Sequence, residues 1–425
     1  MKRIVQGVSV LAIMAGGCAA QSVVGPGASN TGTLPDSVVQ PAPYTGMLLA
    51  ATRIAALPAE QRAAWEGYVL TSRRQMAVDQ AVLADEVRRA GLSGARRAPN
   101  TAQNFDASSS WTPAWTQSAA GRTLVNTVVS YQTPSGGWGK HVDYAQGARA
   151  AGTRWNSESD AWSYIGTIDN GATVNELRLL GVAASTSADT TVRRAFARGV
   201  RYLLQAQFPS GCWPQVFPLM GAYNDAATHN DDAMVNVVRL LRDVARGAWS
   251  AADASLRTDA GAAVSRAIAC FVAQQVNTDG VRTTWAQQHD PLTHEPAQGR
   301  AYELPGLTGS EGARVMSVLM EEPAPSPALV AAVHAAATFY RATAIPNAVY
   351  VSGTGLVPTQ GAAPVWARLM EIGTNRPFFA NRDGIKLYDH AQLTDRRTGY
   401  AWYGNWPSSS LRTFDTWSRT NPLPR

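Results

Sequence analysis

Apolar positions recur at helical spacing through most of the chain. Pro58 opens a long run, to about Ala90, rich in Ala, Glu, Arg, Gln and Leu, and Gly91 closes it. Pro in a first turn and Gly just past a last turn are helix start and stop signals. Residues 46–100 therefore read as an N-terminal helical segment. A polar stretch over about 92–110 separates it from paired helical segments joined by loops carrying Gly, Trp, Pro and Asp. The stretch 232–246 shows the geometry: Met234, Val237, Val238, Leu241 and Val244 form one apolar stripe, with Asp231 at its start. Residues 345–410 lack long amphipathic runs and predict loops with short strands.

The helical part repeats. A helix ends in Gln and a Trp-bearing loop follows: at Gln132 to Trp138, at Gln205-Ala206-Gln207 to Trp213, and at Gln274-Gln275 to Trp285. The tryptophans stand about 75 and 72 residues apart, which accommodates two helices and two loops. A helix pair cannot bury its stripe alone, but stacked pairs can. The expected architecture is mainly α: an incomplete α/α toroid of repeated hairpins, with the Trp loops gathered on one face. A loop-and-short-strand region, residues 345–410, adjoins it.

The ends change the picture. Lys2 and Arg3 precede an apolar stretch, Val8 to Ala15, and the small residues Gly16-Gly17-Cys18-Ala19-Ala20. Residues 1–20 read as a signal peptide, or as a lipoprotein leader ending before Cys18. Both imply export to a secreted, periplasmic or outer-membrane location, with a lipid anchor at Cys18 in the second case. Residues 21–45, rich in Gly, Pro and Ser, read as a tether. The remaining 101–425 form the expected catalytic domain. No later segment has the apolar length of a membrane span. Two buried thiols are the plainer reading of Cys212 and Cys270, with a disulfide open in an oxidising compartment.

Charged residues make up 16% of the chain, below the usual level of about 25%. The net charge of +6 is carried almost wholly by arginine: only Lys2, Lys140 and Lys386 are lysine. The basic residues are dispersed and no nucleic-acid motif accompanies them, so nucleic acid is not expected as a partner. Four loop clusters carry candidate chemistry. They are residues 167–173 around Asp169 and Asn170, 228–236 around Asn230 and Asp231, 299–305 around Arg300 and Tyr302, and the stretch 371–404 with Arg376 and Arg382. Taken bare, Asp169 and Asp231 read as helix N-caps or as oxygen ligands for Ca²⁺. Arg forks among aromatic residues suit a groove for a sugar or a nucleotide, with the forks binding acidic groups. Lys140 is a further anchor for such a substrate. His229, His289 and His294 are possible bases, though isolated loop histidines are more often structural.

The motifs together resemble the family-ten pectate lyases of the polysaccharide lyases. They are TPSGGWGK (133–140), TIDNGAT (167–173), GCWPQ (211–215), NDDAMVN (230–236), WAQQHDP (285–291), RAYELPGLTGSE (300–311), EIGTNRP (371–377), NRDG (381–384) and DRRTGYAWYGNWP (395–407). The resemblance implies Ca²⁺-dependent β-elimination on polygalacturonate by a toroid with a groove. It implies Asp169, Asp231 and Asn170 as metal ligands, with Asp169 also catalytic, and Arg300 as the base for the C5 proton. Lys140, Arg376, Arg382, Asn230 and Tyr302 are implied for the substrate, and the chain is expected to act as a monomer. Asp232 and His229 depart from the family pattern, which has Asn and an aromatic residue there. An inverting glycoside hydrolase using Asp169 and Asp231, or a non-catalytic polysaccharide-binding lipoprotein, are the competing readings.

Overall fold

The long run opened by Pro58 forms helix α1 (Ala59–Arg89), with Pro58 at its N-cap and Gly91 in the left-handed region just beyond it. This computed structural model describes residues 45–158 and 165–423. The leader, Cys18 and nearly all of the tether lie outside them. The helices that follow are α2 (Ala119–Ser130), α3 (Val174–Thr186), α4 (Thr190–Ala206), α5 (Ala233–Ala245), α6 (Ala254–Gln274), α7 (Glu311–Met320), α8 (Pro327–Ala342) and α9 (Pro407–Thr420). They pack as hairpins, α3 on α4, α5 on α6 and α7 on α8, and build the incomplete α/α toroid. The stripe expected on 232–246 is the buried face of α5: Met234, Val237, Val238, Leu241 and Val244 are all in the core. Helix α9 was not anticipated from the sequence. It starts at Pro407 and packs on α7 and α8.

The repeat rests on a repeated set of hydrogen bonds. The indole N–H of Trp138 donates to the Val128 carbonyl, Trp213 to Leu203 and Trp285 to Phe271, at 2.6–2.7 Å. Each indole thereby satisfies a carbonyl at or near the C-terminal end of the preceding helix, one of the groups such an end leaves free. A buried glutamine completes each turn. Gln132 donates to Gly136 and to Ala195 in α4, Gln207 to Gly211 and to Ala263 in α6, and Gln275 to Thr283 and to Ala332 in α8. One amide thus ties its own loop to the next hairpin. A fourth indole, Trp366, bonds the Tyr340 carbonyl at 2.7 Å without the Gln that ends the preceding helix in the other three.

Short antiparallel ladders line up the loops that enter α3, α5 and α7. Gly166–Thr167 pairs with Val216–Phe217, Ala227–Thr228 with Gln288–His289, and Leu307–Thr308 with Leu369–Met370. Thr167, Thr228 and Thr308 donate their N–H to the carbonyls of Trp138, Trp213 and Trp285. The start of each of these helices is therefore fixed to a Trp loop. The segment 345–404 is loops with short strands, as expected, and includes the hairpin Ala348–Val351 with Gly355–Pro358.

Cys212 and Cys270 form a disulfide, with Cα atoms 5.8 Å apart. This corrects the expectation of two buried thiols: the second Trp loop brings Cys212 against α6. Helix α1 docks on the turn after α4, where Tyr68 bonds the Ala206 carbonyl and Trp65 packs on Phe208.

Candidate active site

The first helices of three successive hairpins begin on one side of the molecule, and each has a carboxylate at or before its start. Asp169 precedes α3, Asp231 precedes α5, and Glu311 is the first residue of α7. Anions are favoured at such ends by the helix dipole. None of these helices has a side-chain N-cap hydrogen bond, so Asp169 and Asp231 are not the N-caps that their bare sequence allowed. The backbone here is unusual. Asn170, Thr173, Asp231 and Asp232 all have φ between 51° and 65°. Left-handed non-glycine residues cost free energy and concentrate at functional sites; Asn and Asp tolerate that region best.

Lys140, Asp169, Asn170, Asn230, Asp231 and Arg300 line one cavity of about 80 Å³. Six residues singled out from the sequence, spread over 160 positions, therefore converge. The Lys140 ammonium lies 2.5 Å from Asp169 Oδ2. Burial works to lower its pKa, and the charge and hydrogen bond of Asp169 outweigh that and raise it. Asp169 Oδ1 is buried and has no hydrogen-bond partner. Asn230 is buried and orients Asp231, donating from Nδ2 to Asp231 Oδ2 at 2.9 Å. The Asp231 pKa rises to about 6, through withdrawal from water and then the charges of Asp169 and Glu311, against Arg368 and Arg300.

Arg300 enters from the loop ahead of α7. Its backbone N–H and Nε each donate to Glu303 Oε2 at 2.9 Å, and its Nη2 bonds Oε1. Burial acts to lower its pKa, but the hydrogen bonds and charge of Glu303 prevail and raise it above the ordinary arginine value.

Three expected substrate residues do not line this cavity. Tyr302 is buried between the guanidinium groups of Arg300 and Arg396, 5.0 and 4.3 Å from its ring centre. Arg376 is exposed and stacks on Tyr388 at 3.9 Å. Arg382 is exposed, and its backbone N–H meets the Asp395 carboxylate. The histidines are not bases facing the cavity. His229 and His289 are fully buried, and burial first of all lowers their pKa values to about 3 and about 4.

The sequence reading missed a buried network beside Asp231. The Arg368 guanidinium lies 2.6 Å from Glu311 Oε1, 4.0 Å from Asp231 Oδ1 and 4.5 Å from the Tyr400 ring centre. Gln287 Nε2 joins Glu311, Asn230 and Tyr400. A signal was present: Arg368 is the lone charge in Trp366-Ala367-Arg368-Leu369-Met370, an otherwise apolar buried stretch. Such a charge must be paired, and a paired buried charge beside a cleft marks a site. A second, more open cavity of about 400 Å³ adjoins the first. It shares Asn170 and Asp231 with it and adds Asp232, Arg314, Arg368 and Trp406.

Among the described residues no three His, Cys, Asp or Glu side chains converge to hold a metal unaided. The oxygen-only set of Asp169, Asn170 and Asp231 suits a hard cation such as Ca²⁺ that takes its remaining ligands from water or substrate. The unpartnered Asp169 Oδ1 fits that use.

The family model for pectic acid lyases matches residues 132–411. No curated protein matches the chain. Among solved structures, a family 10 polysaccharide lyase from Cellvibrio cellulosa is 33% identical, with a TM-score of 0.63; the match covers 71% of this chain and 93% of that one. A single-site variant of a family 10 polysaccharide lyase from the same organism, in complex with trigalacturonic acid, is 32% identical at the same TM-score, covering 71% of this chain and 94% of that one.

Proposed function

This chain belongs to the pectic acid lyase family, and on that premise we propose that it cleaves α-1,4-polygalacturonate by calcium-dependent β-elimination. The observation that carries this is the single cavity shared by Lys140, Asp169, Asn170, Asp231 and Arg300. The trigalacturonic acid bound by the Cellvibrio cellulosa relative supports the substrate class.

Asp169, Asn170 and Asp231 would hold the calcium ion. Bound there, the ion would supply positive charge against the uronate carboxylate and so make the neighbouring C5–H more acidic. Lys140 adds a fixed cation in the same space, which would offset negative charge developing on the uronate. Arg300, as the neutral guanidine, takes the C5 proton on nitrogen. The C5–H electron pair becomes the C4=C5 double bond and the C4–O bond breaks. The departing oxygen keeps that bond's electrons and is protonated from water. Glu303 favours the cation, which keeps the neutral guanidine scarce. Export fits the leader at residues 1–20, and the Cys212–Cys270 disulfide suits an oxidising compartment.

The test is ultraviolet absorbance of the unsaturated product. Polygalacturonate mixed with the protein and Ca²⁺ should gain absorbance, lose the gain in EDTA, and recover it when Ca²⁺ is restored. New reducing ends without new absorbance, unaffected by EDTA, would instead indicate hydrolysis.

A further inference from the structure

Arg300, Ala301, Tyr302 and Glu303 form a tight loop in which the last residue grips the first. The Glu303 side chain is only 1% exposed, whereas that of Arg300 is 41% exposed. Every side-chain hydrogen bond recorded for Glu303 comes from Arg300: from its backbone N–H, from Nε and from Nη2. The Glu303 N–H returns to the Arg300 carbonyl at 2.7 Å, and the Gly299 N–H donates to the Glu303 carbonyl at 3.0 Å. The loop is tightly packed at Gly299. A Cβ at Gly299 would stand 2.7 Å from Glu303 Oε2 and 2.4 Å from Gln288 Oε1. Tyr302 covers the guanidinium from another side.

An exposed arginine has rotamer freedom to lose when it is fixed. Here that freedom is removed before any substrate arrives. With Nε and Nη2 engaged, Nη1 is the guanidinium nitrogen left free of Glu303. We propose that Glu303 is a positioning residue for the elimination reaction, holding the Arg300 fork so that Nη1 is the nitrogen offered to the sugar. The inference rests on placing Arg300 at the reacting centre. It adds a buried residue that touches neither sugar nor metal but fixes the geometry of the group that does. The same grip has a cost, since a carboxylate beside a guanidinium favours the cation.

Glu303→Gln keeps the shape, still accepts one bond from Arg300, and can no longer clamp two nitrogens. Steady-state assays of the unsaturated product on polygalacturonate should show kcat lowered about 10- to 100-fold, with KM within about twofold of wild type. Glu303→Asp, which keeps the charge but withdraws the oxygens by one methylene, should also lower kcat, and it carries the test if the glutamine variant does not fold. A kcat within about twofold of wild type in the folded variant, or a loss carried by KM, overturns the proposal. The controls separate it from its premise. A wild-type protein that makes no unsaturated product overturns the functional reading, and an unimpaired Arg300→Ala overturns the placement of Arg300.

Discussion

At the scale of single residues, Lys140 is caught between two tasks. Its ammonium neutralises Asp169 at 2.5 Å, yet Asp169 is also a proposed calcium ligand. Two cations close to one carboxylate repel each other. Removing the lysine charge should therefore help calcium and harm the substrate. We expect Lys140→Gln to bind Ca²⁺ several-fold more tightly by calorimetry and to raise KM for polygalacturonate about 10- to 150-fold, since one lost charge-assisted contact is worth roughly 1.5–3 kcal/mol. Weaker calcium binding in the variant would mean that Lys140 organises the site rather than competing for it. Lys140, Asp169, Asn170, Asn230, Asp231 and Arg300 were legible because each lies in a short loop of unusual composition. Arg376 and Arg382 do not line the cavity those residues share, because composition marks a basic loop and not where it points. Glu311 escaped notice because an acid in the first turn of a helix is ordinary in sequence, and only its burial against Arg368 sets it apart.

At the scale of elements, the three Trp loops were readable because one hydrogen-bonding solution recurs with the same two side chains. The fourth loop keeps the indole bond from Trp366 but drops the Gln, so its signature vanished while its geometry stayed. Helix α9 begins on Trp406-Pro407 and is amphipathic, but its sequence is mostly polar and buries only Pro407, Ser410 and Phe414. Helix α1 was plain, but its docking was not. It buries Asp79 completely, with Gln75 Nε2 donating to Oδ1 and the Arg198 charge nearby. Burial above all raises the Asp79 pKa to about 7, from 3.8 in the unfolded chain. The folded state therefore keeps this proton at pH values where the unfolded state has lost it. The stabilising contribution is full below about pH 4 and is lost as pH rises through about 7, by roughly 4 kcal/mol in all. Asp79→Asn mimics the protonated form and should escape that loss. Urea unfolding should show the variant gaining stability relative to wild type between pH 5 and pH 8.5. Equal differences at the two values would place the Asp79 proton elsewhere.

At the scale of the whole molecule, the hairpins form an open chain of neighbours rather than a closed ring, so each interface must hold without help from closure. The disulfide sits at one of these interfaces. Cys212 lies in the second Trp loop, and Cys270 lies in α6, which Gln207 of the same turn already reaches through the Ala263 carbonyl. The sequence could not reveal this pairing, because two cysteines 58 residues apart are equally compatible with free thiols until the repeat geometry sets them face to face. Closing a loop of that length removes unfolded-chain entropy worth about 4 kcal/mol in the simplest treatment. The double variant Cys212→Ala, Cys270→Ala should lose about 2–5 kcal/mol in urea unfolding. Reducing agent should destabilise the wild type toward the same value and leave the variant unchanged. Neither cysteine lines the catalytic cavity, so the folded variant should keep its initial rate at 25 °C and fail sooner on heating. An unchanged unfolding midpoint would mean that the Gln and Trp bonds alone already fix this interface. A lost initial rate would mean that the second Trp loop transmits its position to Asp231, through the bond from the Thr228 N–H to the Trp213 carbonyl.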